Sequence, residues 1–195
     1  MGASARALTA IGLCSRALLK IGATPLTSFD EGTAEAEVAA ALYAPTRDAL
    51  LSARAWSFAT AQAVLPRLAA EPVADYAHAF QLPADFLRAL SAGAASRGRG
   101  LDYRISGRAL HAASSSVVLT YVYRPAEEDF PAFFDQALIA RLAAEFCIPL
   151  TENSSRADGL HQLAEAEFRR ARLIDAQQDV QPGFEDFSLI EARGS

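Results

Sequence analysis

The residues with which this chain could bind a metal or move a proton are few: three histidines, two cysteines and one acidic run. His78, His111 and His161 stand alone, none with a second histidine or cysteine spaced to converge on zinc from one element. Cys14 and Cys147 lie far apart and outside any CxxC pattern, so they read as reduced, buried thiols that behave as small hydrophobes. Glu127, Glu128 and Asp129 could in principle supply the acid and base of glycan cleavage. They also stand just ahead of a helix expected at Pro131, where the helix dipole favours negative charge, and this capping role is the stronger reading. Ser114-Ser115-Ser116 precedes a strand without the GxSxG elbow that exposes a nucleophile, so these serines read as turn residues.

Positive charge gathers at Arg97, Arg99, Arg104 and Arg108, around the Arg97-Gly98-Arg99-Gly100 loop. The loop has no phosphate-loop lysine and no GxGxxG pattern. It reads as a solvated loop or as a rim that contacts an acidic partner surface or lets DNA pass, uses for which arginine is well suited. Arg169, Arg170 and Arg172 cluster near the end of the last expected helix, where cations meet the negative pole of its dipole. No catalytic residue, cofactor site or metal site emerges, and the chain is expected not to be an enzyme.

The bulk of the sequence agrees with a binding or structural protein. Its 195 residues suit one domain, and 51% hydrophobic with 21% charged residues allows a packed core. A net charge of −5 argues against gripping nucleic acid, because phosphate binding needs cations to displace counterions. A mildly acidic protein can still surround DNA. Lys20 is the single lysine, so the positive charge is almost all arginine, whose planar fork favours fixed protein contacts. No stretch of 18 apolar residues appears, and Arg6 is not followed by an apolar run ending in a cleavage site. The chain reads as soluble and not secreted.

Hydrophobic spacing predicts helices over 5–21, 34–54, 131–148 and 155–176. Gly22 follows the first as a left-handed cap, and Thr33 opens the second, in which Pro45 should force a kink near Leu42 or split it in two. Pro131 starts the third and Pro149 stops it; Ser155 opens the fourth, whose apolar face should include Leu160, Leu163, Ala164 and Phe168. Between them, a strand-rich insertion over about 56–124 should hold a small antiparallel sheet. Residues 91–100 form a loop, 101–105 a half-buried strand, Gly107 a turn, and Val117 to Tyr123 the central strand. The expected fold is therefore mainly α with a small β region: a bundle of about four helices with an inserted sheet, as one domain over 1–180. Residues 181–195 form an extended tail whose Phe184, Phe187, Leu189 and Ile190 cannot bury themselves and need a partner.

Four strings, in order, carry a resemblance: IGLCSRALLKIGATPLTSFDEG at 11–32, RDALLSARAWSF at 47–58, FQLPADFLR at 80–88, and 117–151 from VVLTYVYRP through FFDQALIARLAAEFCIPLT. Together they resemble the tail tubular protein A family of short-tailed bacteriophages, the head-to-tail adaptor or gatekeeper proteins. The likeness runs from about residue 8 to 175. It departs in having Ala55 before Trp56, where proline is expected, and in lacking a tryptophan near Phe187. The resemblance implies a helical bundle with a small β region, assembled as a twelve-membered ring between the portal protein and the tail nozzle. The phage genome would pass through that ring. It also implies a place in the neck of the virion after assembly in the host cytoplasm, with no membrane partner and no cofactor. On this reading Phe184, Phe187, Leu189 and Ile190 meet the portal, while Arg97, Arg99, Arg104 and Arg108 lie at the nozzle or channel rim. Alternatives are a stopper or head-completion connector of a long-tailed phage, a carboxylate-based glycan hydrolase, and a small helical assembly chaperone.

Overall fold

A computed structural model describes residues 8–94 and 98–178. Helix α1 (Ala10–Lys20) begins later than 5 because Thr9 caps it, its hydroxyl accepting from Gly12 N at 3.1 Å. It ends as expected at Gly22, which has φ +75°. There Gly22 N donates to Leu19 O and Ala23 N to Leu18 O, the paired bonds of a Schellman cap. Helix α2 (Ala34–Ser52) starts with Thr33 accepting from Ala36 N at 3.2 Å. It runs through Pro45 as one helix, not two. Pro45 and Ala41, whose carbonyl loses its donor, are both exposed, so water can take that bond. Buried Ala39, Tyr43 and Leu51 on either side meanwhile hold both halves to the core.

Helix α3 (Ala132–Thr151) likewise passes the exposed Pro149 and stops at Glu152, a left-handed residue with φ 52° that donates to Ile148 O at 2.9 Å. The next residue, Asn153, caps α4 (Ser154–Ala176) by accepting from Arg156 N at 2.9 Å, the role expected of Ser155. On α3, Phe134, Leu138, Leu142 and Phe146 are buried, as are Ala137, Ala140 and Ala144. Ile148, near the end of the helix, is 53% exposed. The buried face of α4 falls on Ala157, Ala164 and Ala171, seven residues apart, which lets α4 approach α3 closely. Leu163, expected on that face, points outward and is 42% exposed. Helix α3 is the centre of the layer, packed against α1, α2 and α4.

The insertion forms two three-stranded antiparallel sheets where one is expected. The first has the order β1 (Thr60–Val64), β6 (Val118–Tyr123), β3 (Phe86–Gly93), and the second β2 (His78–Gln81), β5 (Ala109–Ala112), β4 (Tyr103–Ser106). The chain leaving β1 joins them: Leu65 N donates to Val117 O in the first ladder, then Gln81 N donates to Pro66 O in the second. Folding over in this way buries Phe80, Leu110 and Ala112 of one sheet against Ala92, Leu119 and Tyr121 of the other, a second core. The β4–β5 hairpin closes on Gly107-Arg108, with positive φ at Gly107 as a two-residue turn requires there.

Strand β6 is central, as expected, and faces both cores: Val122 joins the helical core, Leu119 and Tyr121 the sandwich core. Strand β3 occupies residues expected to be loop at their C-terminal end. Its register slips between Phe86 and Arg88 and again between Ala89 and Ser91. These bulges convert a period of two into one of three, so Leu87 and Leu90 reach the helices while Phe86, Ala89 and Ala92 reach the other sheet.

Candidate interaction surface

The helical layer is fastened to the sheets by an aromatic cluster and a polar belt. Trp56, fully buried just after α2, packs edge-on against Phe134 and Phe168 at centroid distances of 5.4 and 5.6 Å. Its ring nitrogen donates to Leu50 O at 3.1 Å, which satisfies the one polar atom of the side chain. In the polar belt, Glu127 Oε1 accepts from the Tyr43 hydroxyl and from Arg47 Nη1, both at 2.9 Å. Arg47 Nε also donates to Asp48, which takes a forked pair of bonds from Arg124 at 2.9 and 2.6 Å. The belt thereby ties α2 to the end of β6 and to the turn ahead of α3.

The electrostatics of the belt follow from this pairing. Burial alone would raise the Glu127 carboxyl, but hydrogen bonds from the backbone, Tyr43 and Arg47 hold it below its usual range. Asp48 is lowered in the same way by Arg124 and Arg47 against the pull of burial. The Tyr43 hydroxyl is raised, first by burial and then by the Glu127 charge. An acid for glycan cleavage needs a raised carboxyl, and Glu127 has the opposite. Nor does Glu127 cap the next helix as expected. It is a tertiary ion-pair partner, Glu128 and Asp129 are exposed, and α3 begins at Pro131 without a side-chain cap.

Of the four rim arginines, three are described, one beside the first sheet and two on the second. Arg97 lies outside the described residues. Arg99 is exposed beside a shallow hollow of about 450 Å³ that it lines with Gln62, Ser91, Gly98 and Thr120 on the first sheet. Arg104 and Arg108 share the β4–β5 hairpin of the second. Arg104 pairs with Asp75 at 2.8 Å and lies over the Tyr76 ring, and Arg108 donates to Pro83 O at 2.6 Å. The loop holding Arg99 is clamped: Gly98 O accepts from Ser91 Oγ at 2.7 Å and from Thr120 Oγ1 at 3.3 Å. A Cβ at Gly98 would stand 2.8 Å from both Gln62 Nε2 and Thr120 Oγ1, so any larger residue must push these two side chains aside. Phe184, Phe187, Leu189 and Ile190 also lie outside the described residues.

Sequence reasoning missed Asp175, an acidic residue in the last turn of α4, where the helix dipole disfavours it. That mismatch was the available signal. Asp175 is 2% exposed and accepts from Ser57 N at 3.0 Å, Ser57 Oγ at 2.7 Å and Arg54 Nε at 3.2 Å. It thereby welds the end of α4 to the segment that carries Trp56. Beyond it lies a cleft of about 310 Å³ lined by Arg54, Arg169, Arg172, Leu173 and Ala176. A larger groove of about 450 Å³ runs between α2, α3 and α4, floored by Leu42, Ala49, Ala164 and Phe168, with Arg141 on its edge paired to Glu145 and Glu165.

His78, His111 and His161 sit on β2, β5 and α4. Among the described residues no group of three His, Cys, Asp or Glu side chains could hold a metal ion, and no helix is long and apolar enough to cross a membrane. Ser114 Oγ donates to Ser116 O at 2.7 Å, the local bond of a serine turn. Cys14 and Cys147 are free and buried, as expected, and burial pushes the Cys14 thiol up to about 12. The chain matches no protein-family model and no curated protein.

Proposed function

We propose that this chain is a subunit of a head-to-tail adaptor of a tailed bacteriophage, a ring between portal and tail nozzle through which the genome passes. The observation that carries this reading is the ordered set of four strings that resembles the tail tubular protein A family. Those strings coincide with the parts that fix the architecture. The first spans α1 and its cap, and the second ends α2 and supplies Arg47, Asp48 and Trp56. The third leads from β2 into β3, and the fourth is β6 with α3. A likeness concentrated on the residues that join helices to sheets is a likeness in how the molecule is built. The mixed fold suits it, because a rigid helical layer with a two-sheet module offers separate faces to separate partners. A net charge of −5 suits a channel wall that surrounds DNA without holding it.

The test is co-sedimentation of the pure protein with portal-bearing, DNA-filled heads, with bound chains counted against portal subunits. Saturable binding at a fixed ratio to portal is expected. Failure to bind, or hydrolysis of cell-wall or capsule glycan by the pure protein that Glu127→Gln abolishes, would overturn the reading.

A further inference from the structure

The exposed end of α4 carries unmatched positive charge around a bare leucine. Arg169 and Arg172 have no carboxylate partner among the described residues. With Arg54 they surround Leu173, which is 68% exposed, in the 310 Å³ cleft. Two of the three guanidiniums are fixed in direction: Arg54 by Asp175 and by the Trp56 ring 6.0 Å away, Arg172 by the Phe168 ring 5.9 Å away. An apolar foothold ringed by oriented cations fits a segment that interleaves aromatic and acidic side chains.

The chain supplies such a segment immediately downstream, Phe184-Glu185-Asp186-Phe187-Ser188-Leu189-Ile190-Glu191. Between 179 and 195 it has acidic residues at Asp179, Glu185, Asp186 and Glu191 against Arg193 alone. Reach is sufficient: the cleft lies within about 10 Å of the end of α4, and the chain from Gln178 to Phe184 spans up to roughly 20 Å. Gln181-Pro182-Gly183-Phe184 carries the proline-glycine pair that a type II turn favours at its two central positions.

We propose that Phe184 to Ile190 folds back onto this cleft of its own chain, an aromatic ring on Leu173 and the Glu185-Asp186 pair against Arg169 and Arg172. The larger groove between α2, α3 and α4 is a poorer match, because Arg141 on its rim already has carboxylate partners and gives an acidic segment no preference. A short tether holds the tail at an effective concentration of order mM, so weak contacts suffice. The inference stands apart from the adaptor reading, since it concerns the free subunit and needs no portal.

The test uses the full chain with Ser188→Cys carrying a nitroxide; Cys14 and Cys147 are buried, so the label goes to position 188. Amide resonances of Arg169 to Ala176 and of Arg54 should lose intensity. They should recover when Arg169→Glu and Arg172→Glu are added, and in about 1 M salt, where charges are screened beyond about 3 Å. Loss spread over the whole surface, or centred on the α2–α3–α4 groove, would overturn the proposal. So would loss at the cleft only when a labelled chain is mixed with a separately observed one, which would make a second copy the occupant.

Discussion

Asp135 stands in the first turn of α3 with one carboxylate oxygen buried and unpartnered. Burial pushes its carboxyl up to about 6, and the charge of Arg16 only partly opposes this. A group that binds its proton more tightly folded than unfolded contributes stability below its unfolded pKa of 3.8 and loses that contribution as pH rises through 6. The thermal midpoint of the native chain should therefore fall with pH across that window relative to Asp135→Asn. At neutral pH the asparagine variant should be the more stable by about 1 kcal/mol once solvent access is discounted. Parallel midpoint-against-pH curves for the two proteins would refute this. At Glu127 the sign is reversed, because its partners favour the charged form. Glu127→Ala leaves Arg47 and Tyr43 without their acceptor and should cost about 1–3 kcal/mol in denaturant unfolding, whereas Glu128→Ala, exposed, should stay within about 0.5 kcal/mol. Equal losses would mean the belt contributes nothing beyond ordinary surface charge.

Among the elements, Gly98 offers the sharpest test of how a loop is held on a sheet. Gly98→Ala drives a Cβ into Gln62 and Thr120 and should cost about 1–3 kcal/mol, with Gln62→Ala in the same chain giving part of it back. Strict additivity of the two losses would show that the contact is not the cause. The elements also differ in how far they could be read from sequence. Helix ends marked by a local signal were legible, as at the Thr33 hydroxyl and the left-handed Gly22, since a cap is a local matter. The span of α2 across Pro45 was legible too, but the run of α3 past Pro149 was not, because burial of Cys147 by distant partners outweighs one missing hydrogen bond. Strand β3 escaped because its bulges space the inward residues by three, so 86–92 matches neither a strand nor a helix. The second sheet escaped with it, since the turn of the chain at Leu65 to Leu68 depends on pairing with residues far along the sequence. Of the candidate site residues, Arg104 and Arg108 are held by Asp75 and by the Pro83 carbonyl, partners from loops that no spacing could join to them.

For the whole molecule, what matters is that two cores share one strand. Trp56 is the single tryptophan and reports on the helical core, while Leu119 belongs to the sandwich core. If the layers unfold together, Leu119→Ala should lower the midpoint seen by Trp56 fluorescence as much as that seen by circular dichroism, for a loss of about 2–5 kcal/mol. A Trp56 transition that stays in place while the dichroism splits would mean that the cores open independently. Strand β6 has a further consequence on the timescale of solvent access to the backbone. Its amides and carbonyls pair with β1 on one side and β3 on the other, and neither face is free, so no fraying edge or lifting helix exposes them alone. The amide protons of Val118 to Tyr123 should then be the last in the chain to exchange with heavy water. They should do so at the rate set by global unfolding, while those of the β4–β5 hairpin leave first through local opening.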